Sequence, residues 1–139
     1  MNEGYPIYIV DDDQDDQEFV KEIFGELKIK NQLCFFNNGK DVLSHLKTLN
    51  HTPFLILCDV NIPLMDGFEL RKLLLDDETL VYKSVPFIFW SNVASNAQIK
   101  KAYDLAVHGF FVKGKNYAEL KTSLQNIFAY WKESKQPEI

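Results

Sequence analysis

The chain has 139 residues, of which 46% are hydrophobic, 14% aromatic and 25% charged, and its formal net charge is -5. That length suits one domain whose core needs no disulfide or structural metal, and the composition excludes a disordered chain. The acidic balance argues against nonspecific nucleic-acid binding, and no apolar run approaches the roughly 18 residues of a membrane span.

The opening Met1–Pro6 lacks the basic start and apolar core of a signal peptide, which predicts a cytoplasmic protein. Ile7–Val10 reads as a strand that empties into Asp11-Asp12-Asp13. Phe19, Val20, Ile23, Phe24 and Leu27 then recur at helical spacing from about Asp15 to Leu27. A second strand is predicted at about Gln32 to Phe36, followed by the turn residues Asn37-Asn38-Gly39. Val42, Leu43, Leu46 and Leu49 mark a helix ending near Asn50.

The run Phe54–Cys58 ends at Asp59 and, being apolar throughout, predicts a central strand covered on both faces. The loop Val60–Asp66 follows, and after Gly67 comes a helix with Phe68, Leu70, Leu73 and Leu74. Val85–Trp90 delivers Ser91, and Ser95-Asn96-Ala97-Gln98 reads as a capping box opening a helix with Ile99, Ala102, Tyr103 and Ala106. Gly109–Val112 ends at Lys113, and a last helix carries Leu120, Leu124, Ile127, Phe128 and Trp131. The domain core is expected at about 5–132, with a frayed tail from Glu133 to Ile139.

Five strand-then-helix repeats predict an α/β fold, a parallel sheet with helices on both faces. In such a sheet the carboxyl ends of the strands gather side chains at one edge. Here they bring carboxylates, a hydroxyl and an ammonium, a set that suits a divalent metal and a phosphoryl group. Asp11 and Asp12 crowd one strand end, where their repulsion favours a cation between them. Asp13 either caps the next helix or takes Asp12's place as a ligand. Asp15, Asp16 and Glu18 are read as first-turn acids favoured by the helix dipole, and Asp66 as turn or cap chemistry. Cys34 and Cys58 read as packed thiols, and His45, His51 and His108 as structural or exposed.

In this order and at these spacings, the acidic pair, Asp59 with Pro63 and Met65-Asp66-Gly67, Ser91 and Lys113 resemble the receiver domain of two-component response regulators, the CheY-like family. The resemblance covers Ile7 to about Trp131. It implies a flavodoxin-like three-layer sandwich with strand order 2-1-3-4-5 and five helices. It also implies that Asp59 accepts a phosphoryl group from a histidine kinase or histidine phosphotransfer protein, with Mg²⁺ as cofactor. Asp12 and Asp59 would bind the metal directly, Asp11 through a water and Asn61 by its carbonyl. Ser91 and Lys113 would hold the phosphoryl oxygens, and Phe110 would be the ring that reorients on switching.

On this resemblance the chain is a phosphoacceptor signalling domain and not a turnover enzyme. Ending after its last helix, it is expected to act on a downstream protein, without nucleic-acid binding or membrane insertion, and a phosphorylation-dependent dimer is among the outcomes allowed. A degenerate, purely protein-binding receiver is one alternative. A phosphatase with an aspartyl-phosphate intermediate is another, opposed by Asn61, where such enzymes want a second carboxylate. Two positions depart from the family. Gly114 stands where proline follows the lysine through a cis bond, which without proline costs roughly 2.5–4 kcal/mol, and glycine's wide dihedral range offers another route. Val93 cannot orient a water, which implies a longer-lived phosphoryl state.

Overall fold

A computed structural model describes residues 4–48, 53–77, 85–92 and 94–136. Their order is β1 (Ile7–Val10), α1 (Gln14–Glu26), β2 (Leu33–Phe36), α2 (Gly39–Thr48), β3 (Leu55–Cys58), α3 (Gly67–Asp76), β4 (Phe87–Ser91), α4 (Asn96–Asp104), β5 (Gly109–Val112) and α5 (Tyr117–Glu133). The strands pair in parallel in the order β2-β1-β3-β4-β5. Val10 lies beside both Phe36 and Cys58, Cys58 beside Phe89, and Phe89 beside Phe110, so the carboxyl ends finish close to level.

Successive strand residues point to opposite faces. Tyr8, Val10, Ile56, Cys58, Phe87 and Phe89 pack under Val42 and Leu46 of α2, Phe68, Leu70 and Leu74 of α3, and Ala102 of α4. Ile7, Ile9, Leu55, Leu57, Ile88 and Trp90 meet Val20, Ile23 and Phe24 of α1 and Leu120, Leu124 and Ile127 of α5. Both faces of β1, β3 and β4 are therefore buried, which is why these strands read as unbroken apolar runs. The result is the predicted flavodoxin-like three-layer sandwich.

Cap chemistry sets the helix starts. Ser95 and Gln98 form the predicted capping box of α4, and Asp66 with Glu69 forms another at α3, confirming Asp66 as a cap. Helix α3 begins at Gly67 itself, one residue earlier than expected. A Cβ there would stand 2.7 Å from the Asp59 carbonyl oxygen and 2.7 Å from Phe89 Cε1, so glycine lets the helix start against the end of β3. Strand β4 likewise takes in Ser91, which pairs with Val112. The predicted end of α2 near Asn50, His51 and Val93 lie outside the described residues.

The buried face of α3 differs from the sequence expectation. Leu73 is exposed, whereas Arg71 is buried. Its Nε donates to the Leu105 carbonyl at 3.0 Å and its Nη2 to the Ala106 carbonyl at 2.7 Å. Those carbonyls belong to the C-cap of α4 and the residue after it, so the guanidinium closes the end of one helix from another and lies over the Phe87 ring.

Candidate functional site

The backbone ladder builds the site before any side chain is considered. Asp11 N–H donates to the Phe36 carbonyl, Asp59 N–H to the Val10 carbonyl and Lys113 N–H to the Ser91 carbonyl. Each bond extends a strand pair by one residue, so the residues just past β1, β3 and β5 stand together along one sheet edge. Asp11, Asp59, Ser91 and Lys113 are all buried there.

Lys113 Nζ donates to Asp11 Oδ2 at 2.7 Å, Asp16 Oδ2 at 2.7 Å and Asp59 Oδ2 at 2.8 Å. It also stands 4.8 Å from the Trp90 ring centroid. The other oxygens of Asp11 and Asp59 are tied to backbone: Asp11 Oδ1 accepts from Asp13 N–H at 2.9 Å, and Asp59 Oδ1 from Asn61 N–H at 3.2 Å. Burial pulls the lysine's proton affinity down, but its bonds to three carboxylates outweigh this and hold its pKa above the usual range. Burial pushes the Asp11 carboxyl up to about 6 despite the opposing Lys113 bond and charge, with the Asp59 charge adding to the rise.

The predicted residues are not all drawn in. Asp12 is exposed, and Asp13 is the N-cap of α1, accepting from Asp16 N–H at 3.1 Å. Asn61 is exposed and contributes its N–H to Asp59. Phe110 is half-buried, 5.9 Å from the Phe89 ring. Cys58 is buried and free, and His108 accepts the Phe87 N–H at 3.0 Å, a structural role.

Asp16 was missed. In the capping boxes of α3 and α4 the third helical residue reaches back to the cap's N–H. In α1 that N–H, of Asp13, is already taken by Asp11 Oδ1, so the Asp16 carboxylate is spared for Lys113. The Asp13-x-x-Asp16 spacing carried the signal, together with the need of a buried ammonium for three acceptors.

The donor set suits a hard divalent cation. Three carboxylates surround one ammonium, leaving negative charge in surplus at a buried edge. Among the described residues no three His, Cys, Asp or Glu side chains converge as a metal cage. Mg²⁺ uses only one or two carboxylates, completing its shell with waters and phosphate oxygens. The fit therefore rests on Asp11, Asp59 and the neighbouring Asp12 and Asn61.

Gly114 serves space, not an unusual dihedral. It has no positive φ, and no peptide bond among the described residues is cis. A Cβ on it would overlap that of Glu119 and lie 2.9 Å from Leu120 N. Glu119 in turn accepts the Lys115 N–H at 2.6 Å, closing the start of α5 over the loop.

Two outcomes follow from this packing and charge. Gly114→Ala is expected to cost about 1–3 kcal/mol by pushing α5 away, read from urea unfolding; unchanged stability would contradict the contact. Lys113→Met is expected to cost about 3–5 kcal/mol near pH 8, because it strands buried carboxylates. The sign with pH follows from Asp11, whose folded value of about 6 exceeds the ordinary 3.8. Stability tied to its protonated form is retained at low pH and lost as pH rises through about 6, and removing the ammonium raises that value further. The variant's deficit should therefore be smaller near pH 5 than near pH 8, measured by unfolding at both; an equal deficit would contradict the account.

The sequence model of the response regulator receiver domain matches residues 7–125. The chain is 32% identical over 129 residues to the chemotaxis protein CheY-3 of Vibrio cholerae, covering 92% of this chain and 95% of that protein. In fold it is similar to the phosphorylated cyanobacterial phytochrome response regulator RcpA, with TM-score 0.88, 24% identity and coverage of 97% of this chain and 99% of that one. It is similar too to the Mn²⁺-bound response regulator Rcp1, with TM-score 0.84, 24% identity and coverage of 96% and 99%. With the ladder, the strand order and the family match in agreement, the chain belongs to the response regulator receiver domain family of two-component signalling.

Proposed function

We propose that this receiver domain takes a phosphoryl group onto Asp59 from the phosphohistidine of a histidine kinase or histidine phosphotransfer protein. The supporting observation is the contact of Lys113 Nζ with both Asp59 and Asp11 at the sheet edge, at 2.8 and 2.7 Å. It is an arrangement suited to hold an anionic group on the carboxylate while neutralising it.

An ionised carboxylate needs no base before it attacks, so the demand on the site is alignment and charge neutralisation. One Asp59 oxygen forms the bond to phosphorus as the nitrogen–phosphorus bond of the donor breaks. The imidazole keeps that electron pair and ends neutral by taking one proton. The Lys113 ammonium follows the phosphoryl oxygens as a mobile charge. Ser91, buried at the end of β4, donates its hydroxyl to a second phosphoryl oxygen, and the Asn61 N–H steadies the carboxylate. Asp12, Asp59 and the Asn61 carbonyl would hold Mg²⁺ directly and Asp11 through a water, and the bound ion would supply positive charge to offset repulsion between acceptor and donor. That Rcp1, similar in fold, has a Mn²⁺-bound form is in keeping with a divalent ion here.

Phe110 packs on Phe89 one strand away from Ser91, and on this reading its ring carries the change at the site toward α4, β5 and α5. The output is altered binding of a downstream protein or onward relay of the phosphoryl group, in the cytoplasm, within the single receiver domain spanning the chain. Among the described residues no helix is long and apolar enough to cross a membrane.

Acetyl phosphate with Mg²⁺ should add one phosphoryl mass to the intact protein and none to Asp59→Asn. Equal labelling of both would refute the acceptor assignment.

A further inference from the structure

The acid that the sequence assigned to the helix dipole stands in the site itself. Asp16 Oδ2 takes one Lys113 N–H at 2.7 Å, as close as Asp11 and closer than Asp59. A lysine ammonium offers three donors and no more. Its three carboxylate partners therefore saturate it, and a phosphoryl oxygen arriving at Asp59 reaches the ammonium only by displacing one of them.

The three partners are not equally displaceable. Asp11 is fully buried, and its other oxygen is fixed by the Asp13 N–H. Asp59 is itself the acceptor and stays attached to the incoming group. Asp16 has a side chain 18% exposed, on the first turn of α1, where water can replace the ammonium. Release of Asp16 is thus the least costly way to free a donor, because its carboxylate does not stay buried and unpaired.

We infer that Asp16 is a latch on Lys113, holding the ammonium in the unphosphorylated protein and giving it up when a phosphoryl group arrives on Asp59. The inference rests on the reading of Asp59 as acceptor. It makes Asp16 a positioning residue that opposes phosphorylation, since the incoming group must break its bond. It also ties the acceptor chemistry to the start of α1, because Asp13, the N-cap, accepts the backbone N–H of Asp16 itself.

The test is the rate at which acetyl phosphate with Mg²⁺ labels the protein, followed by intact mass. In that step an Asp59 oxygen bonds to phosphorus while the phosphorus–oxygen bond to acetate breaks, and acetate leaves with the electron pair. Wild type is compared with Asp16→Asn, Asp16→Ala and Asp15→Asn, each checked for folding by circular dichroism. Asp15 is exposed on the same helical turn, outside the Lys113 cluster, so it controls for simple removal of negative charge. Both Asp16 variants should label faster, on the order of 10-fold for loss of one charge-assisted bond, with Asp15→Asn near wild type. Labelled wild type with Asp16 variants no faster would overturn the latch alone. Equal acceleration by Asp15→Asn would also overturn it, assigning the effect to bulk charge. No labelling of any variant or of wild type would overturn the Asp59 reading and the latch with it.

Discussion

A buried ammonium must find an acceptor for each of its three protons, and in this protein all three acceptors lie far from the lysine in sequence. Asp11 precedes Lys113 by 102 residues and Asp59 precedes it by 54. Between β3 and β5 lies β4, so the lysine side chain has to cross the end of an intervening strand to reach Asp59, and it does so over the face of Trp90. That bridge exists only with the strands in this order and with their ends level. The lysine's long stem spans the gap, the aromatic ring beneath it stabilises the charge, and the carboxylates define its end point. The central strand order and the site are thus one geometric fact.

The same cluster explains why the edge is suited to anionic chemistry while carrying so many acids. One ammonium against three carboxylates leaves the edge electronegative, and burial, with a smaller push from the Asp59 charge, raises the proton affinity of Asp11. A phosphoryl group would add to it. On the proposed function that charge would be neutralised by a divalent cation, for which the edge offers hard oxygen donors.

Strand identities were legible because three strands are buried on both faces and so lack any polar alternation. Asp11 and Asp59 stood out in the sequence because each stands one step past such a run, and Lys113 because it directly follows β5. What escaped was decided by contacts between elements. Arg71 sits within a leucine-rich helix, and nothing local reveals that the carbonyls ending α4 will need a guanidinium. Asp16 looked like an ordinary first-turn acid, since its role depends on Asp11 having already taken the Asp13 N–H. Gly114 was read through its dihedral freedom, as another route where the family has a cis proline, whereas it has no positive φ and the packed start of α5 gives it a steric reason. In each case a contact between elements decided what local preference left open.

The claim on which the account stands is that Lys113 is held by three carboxylates at once. Proton exchange at its ζ-nitrogen, followed by ¹⁵N-edited NMR of the unphosphorylated protein at neutral pH, addresses it directly. The account predicts a Lys113 ammonium resonance that is resolved and exchanges far more slowly than those of exposed residues such as Lys28 and Lys100. A Lys113 ammonium exchanging as fast as theirs would contradict it.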